Sequence, residues 1–416
     1  MSEFFAQMVA VFQVTWFVVM PLVFWIVFYS LWARYVFIVD FLMKQNDVLL
    51  EIIPPRDIEK SPKVMEKFFD SLAATDAGTN KINEYCHGAG NPFFSLEIVG
   101  TEGMAHFYIR TPSLFRNLVE SSLYAQYPSV EIVEVPDYVH GIPNLIPNEE
   151  WTLKGFDLKL LKGDAYPIKT YEYFEEDVTG KMIDPLASML EAIGSLGPGQ
   201  HMWLQYIIRA DRPMWFDDWG KGSVEDFLQK SQKSVGPFEK LWFDTKDAFS
   251  GVLTGWDKPP EFSSLEAPPT SDDPVEFRLT PGEKQVLKSL EDNISKSMFS
   301  VSARLVVVGQ KDFFTPVNLA GAMSSLKQFS DNHTNQFMPV DRSKVYADYV
   351  SVEARSSRRM RRLLALYRDR EGIYDFHLST AELATVFHLP DMSVESPTVQ
   401  WSDSRKSTAP TNLPFG

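Results

Sequence analysis

The stretch Ala105–Ile132, AHFYIRTPSLFRNLVESSLYAQYPSVEI, decides the fold. His106 to Arg110 alternates apolar and polar side chains and reads as a strand. Thr111 and Pro112 open a helix whose apolar residues are Leu114, Leu118, Leu123 and Tyr124, and Pro128 stops it. Val130 to Val135, interrupted by Glu131 and Glu134, is a second strand.

Upstream, Val48 to Ile53 is an apolar run closed by Pro54 and Pro55, which predicts a strand. Ser61 and Pro62 mark a helix start, and Val64, Met65, Phe68, Phe69 and Leu72 recur at helical spacing. Phe94, Leu96 and Ile98 alternate with polar residues as another strand. Residues 46–150 thus run strand, helix, strand, strand, helix, strand, the ferredoxin-like plan.

Downstream, residues 151–330 predict a second pass of the same kind. Phe156 to Leu161, Ile168 to Phe174 and His201 to Arg209 read as strands, and Pro185 to Ile193 as a helix. An aromatic insertion follows at about 211–274, including Trp215, Phe216, Trp219, Trp242 and Trp256. It is expected to form a small helical core; the alternative is a surface resting on a membrane. Val275 to Leu279 resumes as a strand, and Thr280 with Glu283 is a capping box opening a helix through Lys296. Phe299 to Val308 completes the sheet. In the C-terminal region, 331–392, a long helix is expected over Ser343–Asp369, a strand over Ile373–Leu378, and a capped short helix from Ser379 and Glu382. Residues 393–416 read as an extended tail.

At the other end, Val11–Leu31 carries no charged residue. As a helix it would be about 31 Å long, the thickness of a bilayer's hydrocarbon core. A transmembrane anchor at 1–45 is therefore expected, with Trp32, Arg34 and Tyr35 at the membrane interface. Arg34 and Lys44 follow the span and no Lys or Arg precedes it, so the positive-inside rule predicts a single-pass inner-membrane protein with its N-terminus outside and its body cytoplasmic. The expected fold class is α+β: a transmembrane helix, two ferredoxin-like domains with the second split by the aromatic insertion, and a helical C-terminal region.

Composition narrows the function. Asp and Glu number 55 against 40 Lys and Arg, a balance that repels phosphate backbones. The single cysteine, Cys86, excludes an intramolecular disulfide or a thiolate cluster, and with His87 it reads as chance neighbours in a loop. Gly180-Lys181-Met182 and Gly220-Lys221-Gly222 lack the phosphate-binding pattern, and no zinc, nucleophile-elbow or dinucleotide motif occurs. No catalytic residue, cofactor or metal is expected. The acidic groups Glu175, Glu176, Asp177 and Asp217, Asp218 read as solvated loop charge. The basic concentration is Arg355, Arg358, Arg359, Arg361 and Arg362, followed by Arg368 and Arg370. Helical spacing gathers 355, 358, 359 and 362 on one face, a docking face for an acidic partner or DNA if the protein's own acids do not neutralise it.

Four segments carry a family resemblance: Phe94–Gly100, Ala105–Ile132, Phe277–Gly309 and Leu378–Pro390. In that order they resemble the membrane-anchored N-terminal portion of bacterial type IV secretion and conjugation ATPases, in which a Thr- and Pro-bearing segment like Pro397–Pro414 leads into a P-loop motor. This chain ends at Phe415 and Gly416, where the motor would begin, so the motor is expected either on a separate polypeptide or cut away from this sequence. The resemblance implies a non-enzymatic scaffold at the membrane, homo-oligomeric in its complex, docking a P-loop ATPase in trans, with any DNA contact indirect. The competing expectations are a membrane-tethered nucleic-acid binder using the arginine helix, and a membrane-surface enzyme with an acidic site.

Overall fold

A computed structural model describes residues 16–32, 46–55, 60–76, 91–174, 184–210, 223–224, 279–346, 351–373, 375–391 and 399–402. The first half comprises β1 (Asp47–Ile53), α1 (Lys63–Ala73), β2 (Phe93–Thr101), β3 (Met104–Pro112), α2 (Arg116–Gln126) and β4 (Glu131–Glu134). β1 lies between β3 and β4, antiparallel to both. β2 and β3 form a hairpin whose two turn residues, Glu102 (φ 51°) and Gly103 (φ 88°), both have the positive φ that a tight hairpin with native twist requires.

The second half comprises β5 (Trp151–Leu160), α3 (Ala187–Gly194), β6 (Gln200–Ala210), α4 (Pro281–Ile294), β7 (Met298–Gln310), α5 (Val317–Leu326) and β8 (Phe337–Pro339). After it come α6 (Val352–Asp369), β9 (Asp375–Ser379) and α7 (Thr380–Val386). All nine strands belong to one sheet, ordered β4-β1-β3-β2-β6-β7-β5-β8, with β9 paired to β7. From its centre outward, each half places its second, third, first and fourth strands in that sequence.

Two corrections follow. The two expected ferredoxin-like domains are one continuous antiparallel sheet, because β2 and β6 pair from Phe93↔Arg209 to Thr101↔His201. Both strands are buried on both faces along nearly their whole length, so neither could stand as a solvent-facing edge. The transmembrane helix is also overturned: among the described residues no helix is long and apolar enough to cross a membrane. Of the expected span, the described residues 16–32 are helical. Trp32 is exposed, whereas Val11 to Thr15, Arg34 and Tyr35 lie outside the described residues.

Smaller differences have local causes. Residues 168–170 are not a strand, and Tyr171–Tyr173 is a single 3₁₀ turn. Two of the amides are taken by α7 side chains, Ile168 N–H donating to Glu382 (2.8 Å) and Tyr171 N–H to Thr385 Oγ1 (2.9 Å), and Lys169 N–H donates to the Phe329 carbonyl (2.9 Å), so no ladder is needed. The long C-terminal helix begins at Val352, nine positions after Ser343, because Ser351 is in the left-handed region (φ 54°). Both capping boxes form, Thr280 with Glu283 and Ser379 with Glu382. The tail is not wholly free: Val399 and Ser402 make isolated bridges to Ala105 and Pro55 and are buried. Of the strand expected over Val275–Leu279 only Leu279 is described, and it lies in a bend; apart from 223–224, the aromatic insertion lies outside the described residues.

The sheet separates two cores. One face carries Leu96, Ile98, Phe107, Leu204, Tyr206, Leu305 and Val307, covered by helices including α1, α3 and α7. Every residue of α7 is buried, Glu382 among them. Burial raises the Glu382 carboxyl to about 7 from an ordinary 4.5, although bonds from the Ser379 and Ile168 amides push the other way. A raised carboxyl contributes stability that is fully present below pH 4.5 and lost as pH rises through about 7. Unfolding free energy should therefore fall by on the order of 3 kcal/mol across that window from this group. Denaturant titrations at several pH values should show that slope, and Glu382→Gln should flatten it.

The other face is covered by α6, whose Leu363, Leu364 and Tyr367 pack on Leu153, Trp203, Val306 and Val308. Gly155 permits this approach. A Cβ there would stand 2.4 Å from the Leu305 carbonyl and 3.0 Å from Leu363 Cδ2, so backbone would have to move. Gly155→Ala should cost about 1–3 kcal/mol of unfolding free energy, read by urea denaturation; an unchanged midpoint would mean that α6 does not pack on β5.

Candidate functional site

The covered face of the sheet holds a buried charge network beneath α6. Glu97, in the middle of β2, is fully buried. It accepts from Ser95 Oγ (2.6 Å), Gln205 Nε2 (3.0 Å), Tyr138 Oη (2.8 Å), Arg370 Nε (3.0 Å) and Arg370 Nη2 (3.3 Å). Burial alone would push its carboxyl up, but the charge and hydrogen bonds of Arg370, helped by Ser95 and Tyr138, hold it below the usual carboxylate range. Arg370 also grips Asp137, with Nη2 donating to Oδ1 at 3.1 Å. The Tyr138 and Tyr367 hydroxyls meet beside Glu97, and burial first, then the Glu97 charge, pushes both phenols well up.

Arg370 ends α6 in the left-handed region (φ 51°), which turns its guanidinium under the helix and onto the sheet. It therefore fixes α6 by its C-terminal end. A second buried pair, Arg304 Nε to Asp157 Oδ1 at 3.1 Å, lies across β7 and β5, and Arg304 Nη2 also reaches the Glu371 carbonyl (2.7 Å). Chemically, Glu97 is saturated with donors and closed to solvent. It cannot take a proton from a substrate, and its work is structural.

A cleft of about 840 Å³ opens at the end of this network, where α6 leaves the sheet. Its floor includes Asp47, Arg110, Phe93, Arg209 and Ser300, and its roof includes Asp137, His140 and Arg368 to Gly372. Arg110 Nη2 pairs with Asp47 Oδ2 at 2.8 Å. Among the described residues no group of His, Cys, Asp and Glu could hold a metal ion.

The predicted arginines all lie on α6. Arg355, Arg358, Arg361 and Arg362 are exposed, and the buried stripe of Leu363, Leu364, Leu366 and Tyr367 holds the opposite side of the helix on the sheet. Arg358, Arg361 and Arg362 make no ion pair among the described residues. Arg359 is turned aside, donating through Nη1 to the carbonyls of Lys344 (3.0 Å) and Tyr346 (2.7 Å). Arg368 is likewise committed, to Asn144 Oδ1 (2.7 Å) and the Pro143 carbonyl (3.0 Å). The acidic groups Glu175 to Asp177 and Asp217, Asp218 lie outside the described residues.

Sequence reasoning missed Glu97, Asp137, Asp47 and Arg110. One signal was present: Glu97 is a charge inside the otherwise apolar run LEIV of a central strand, which demands a buried cation. Nothing in the sequence says that the cation is Arg370, 273 positions away.

Residues 40–402 match the family described as a domain of unknown function, DUF8128, and the chain belongs to that family. Comparison with curated proteins found no match.

Proposed function

We propose that the protein is a non-enzymatic docking scaffold whose exposed α6 arginines seat an acidic face of a P-loop ATPase acting in trans. The observation that carries this reading is that Arg358, Arg361 and Arg362 stand exposed and make no ion pair among the described residues of a protein of net charge −15. An acidic chain that presents a row of exposed arginines has there a surface complementary to an acidic partner. Arginine is suited to the role, since its planar fork matches carboxylates bidentately. The rigid mounting supports the reading further, because α6 is held by Tyr367 and by the Arg370–Glu97 pair. The resemblance to the motor-proximal portion of secretion ATPases supplies the partner's class.

The saturated state of Glu97 supports a non-enzymatic role, as does the absence of nucleotide-binding motifs from the sequence. Mixing the full chain with a P-loop secretion ATPase from the same organism, followed by light scattering, tests the reading. A complex that weakens steeply with salt is expected. Equal or tighter binding of duplex DNA in fluorescence anisotropy would replace it with a nucleic-acid reading.

A further inference from the structure

The cleft beside α6 contains two buried polar atoms of opposite character that the protein itself leaves unanswered. Asp47 Oδ1 has no hydrogen-bond partner although Oδ2 is paired with Arg110. Arg368 Nε is likewise buried without a partner, its other nitrogens being occupied. A buried acceptor and a buried donor left empty each cost free energy, and a structure retains them where something else completes them. Arg209 stands at the same cleft, exposed and without an ion pair among the described residues.

We propose that this cleft binds a free α-amino acid, its ammonium on Asp47 and its carboxylate between Arg209 and Arg368. Charge of both signs excludes the simpler ligands. A dianion would meet Asp47, Asp137 and Asp375, and a polyamine would meet Arg110, Arg209 and Arg370. A molecule carrying one charge of each sign satisfies both ends without leaving either buried. The placement suits a small ligand. Asp47 on β1 and Arg209 on β6 are separated by β3 and β2, three interstrand steps or about 14 Å of sheet, which two side chains and a compact zwitterion fill. Phe93 and Ile207 supply an apolar wall between them, as small-molecule sites do. Burial also holds the Asp47 carboxyl above its ordinary range despite Arg110, so an incoming ammonium would be welcomed as a second counter-charge.

The roof of the cleft is the terminus of α6, but the inference stands apart from the docking reading, since none of its residues belongs to the exposed arginine row. The test is a thermal-shift screen of the full chain against the twenty free amino acids, with isothermal titration of any that stabilise it. Succinate and putrescine serve as probes bearing only one sign of charge. At least one amino acid should bind saturably, and Asp47→Asn and Arg209→Gln should each weaken it at least tenfold, with both one-signed probes at least tenfold weaker still. Arg209 is exposed and unpaired, so Arg209→Gln keeps the test valid even if Asp47→Asn fails to fold. The proposal is overturned if none of the twenty binds, if binding is unchanged in Arg209→Gln, or if succinate or putrescine binds as tightly as every amino acid.

Discussion

Arg370→Leu should lower the unfolding free energy by about 3–5 kcal/mol, the largest effect expected of any single substitution outside the apolar core. The reason is what the change leaves behind. Glu97 is fully buried in a central strand, and its ionised form rests on the two Arg370 bonds at 3.0 and 3.3 Å. Asp137 loses its grip at the same time. Either Glu97 takes up a proton or a carboxylate stays in the core uncompensated, and both routes are costly. The double variant Glu97→Gln, Arg370→Leu removes the stranded charge and should recover at least about 1 kcal/mol of the loss, a coupling of the size found for residues in direct contact. Urea unfolding followed by circular dichroism reads both. Equal loss in the single and double variants would show that the pair is not coupled.

The second large effect concerns association. Reversing Arg358, Arg361 and Arg362 to glutamate should reduce ATPase docking by about a hundredfold or more, because an acidic partner then faces three new like charges, and like-charge juxtaposition costs several kcal/mol. Folding stability should change little, since these side chains are exposed, make no ion pair among the described residues, and exposed charges contribute little to it. Arg359 serves as the internal contrast. It lies in the same helix but spends its donors on the Lys344 and Tyr346 carbonyls, so Arg359→Gln should alter local packing more than docking. Surface plasmon resonance on the purified pair separates the two.

Local elements were largely legible because their signals are local. Capping at Thr280 and Ser379 and the period of Phe68, Phe69 and Leu72 each declare themselves within a few residues. Pairing between the halves was not, because βαββαβ order says which strands a unit contains and nothing about what covers its outer strand. The clue lay in how few charges β2 and β6 carry, one in FFSLEIVG and one in HMWLQYIIR, a composition suited to interior strands. The same limit explains the misread segment at 168–174. Its apolar residues point inward as a strand's would, yet two of its amides are satisfied by Glu382 and Thr385, and a side chain more than two hundred positions away leaves no periodic trace. Of the candidate site, the arginine row could be read because helical spacing aligns it. The cleft and the Glu97 network could not, since Asp47, Glu97, Asp137 and Arg370 meet only through tertiary structure.

A photo-crosslinking residue placed at Arg358 in the full chain, irradiated in cells and analysed by mass spectrometry, tests the docking account most directly. The account predicts adducts with a protein that carries a GxxxxGK[ST] loop, captured through an acidic segment and lost when Arg361 and Arg362 are also reversed. Adducts with nucleic acid, or a helix face that captures nothing while the chain remains folded, would contradict it.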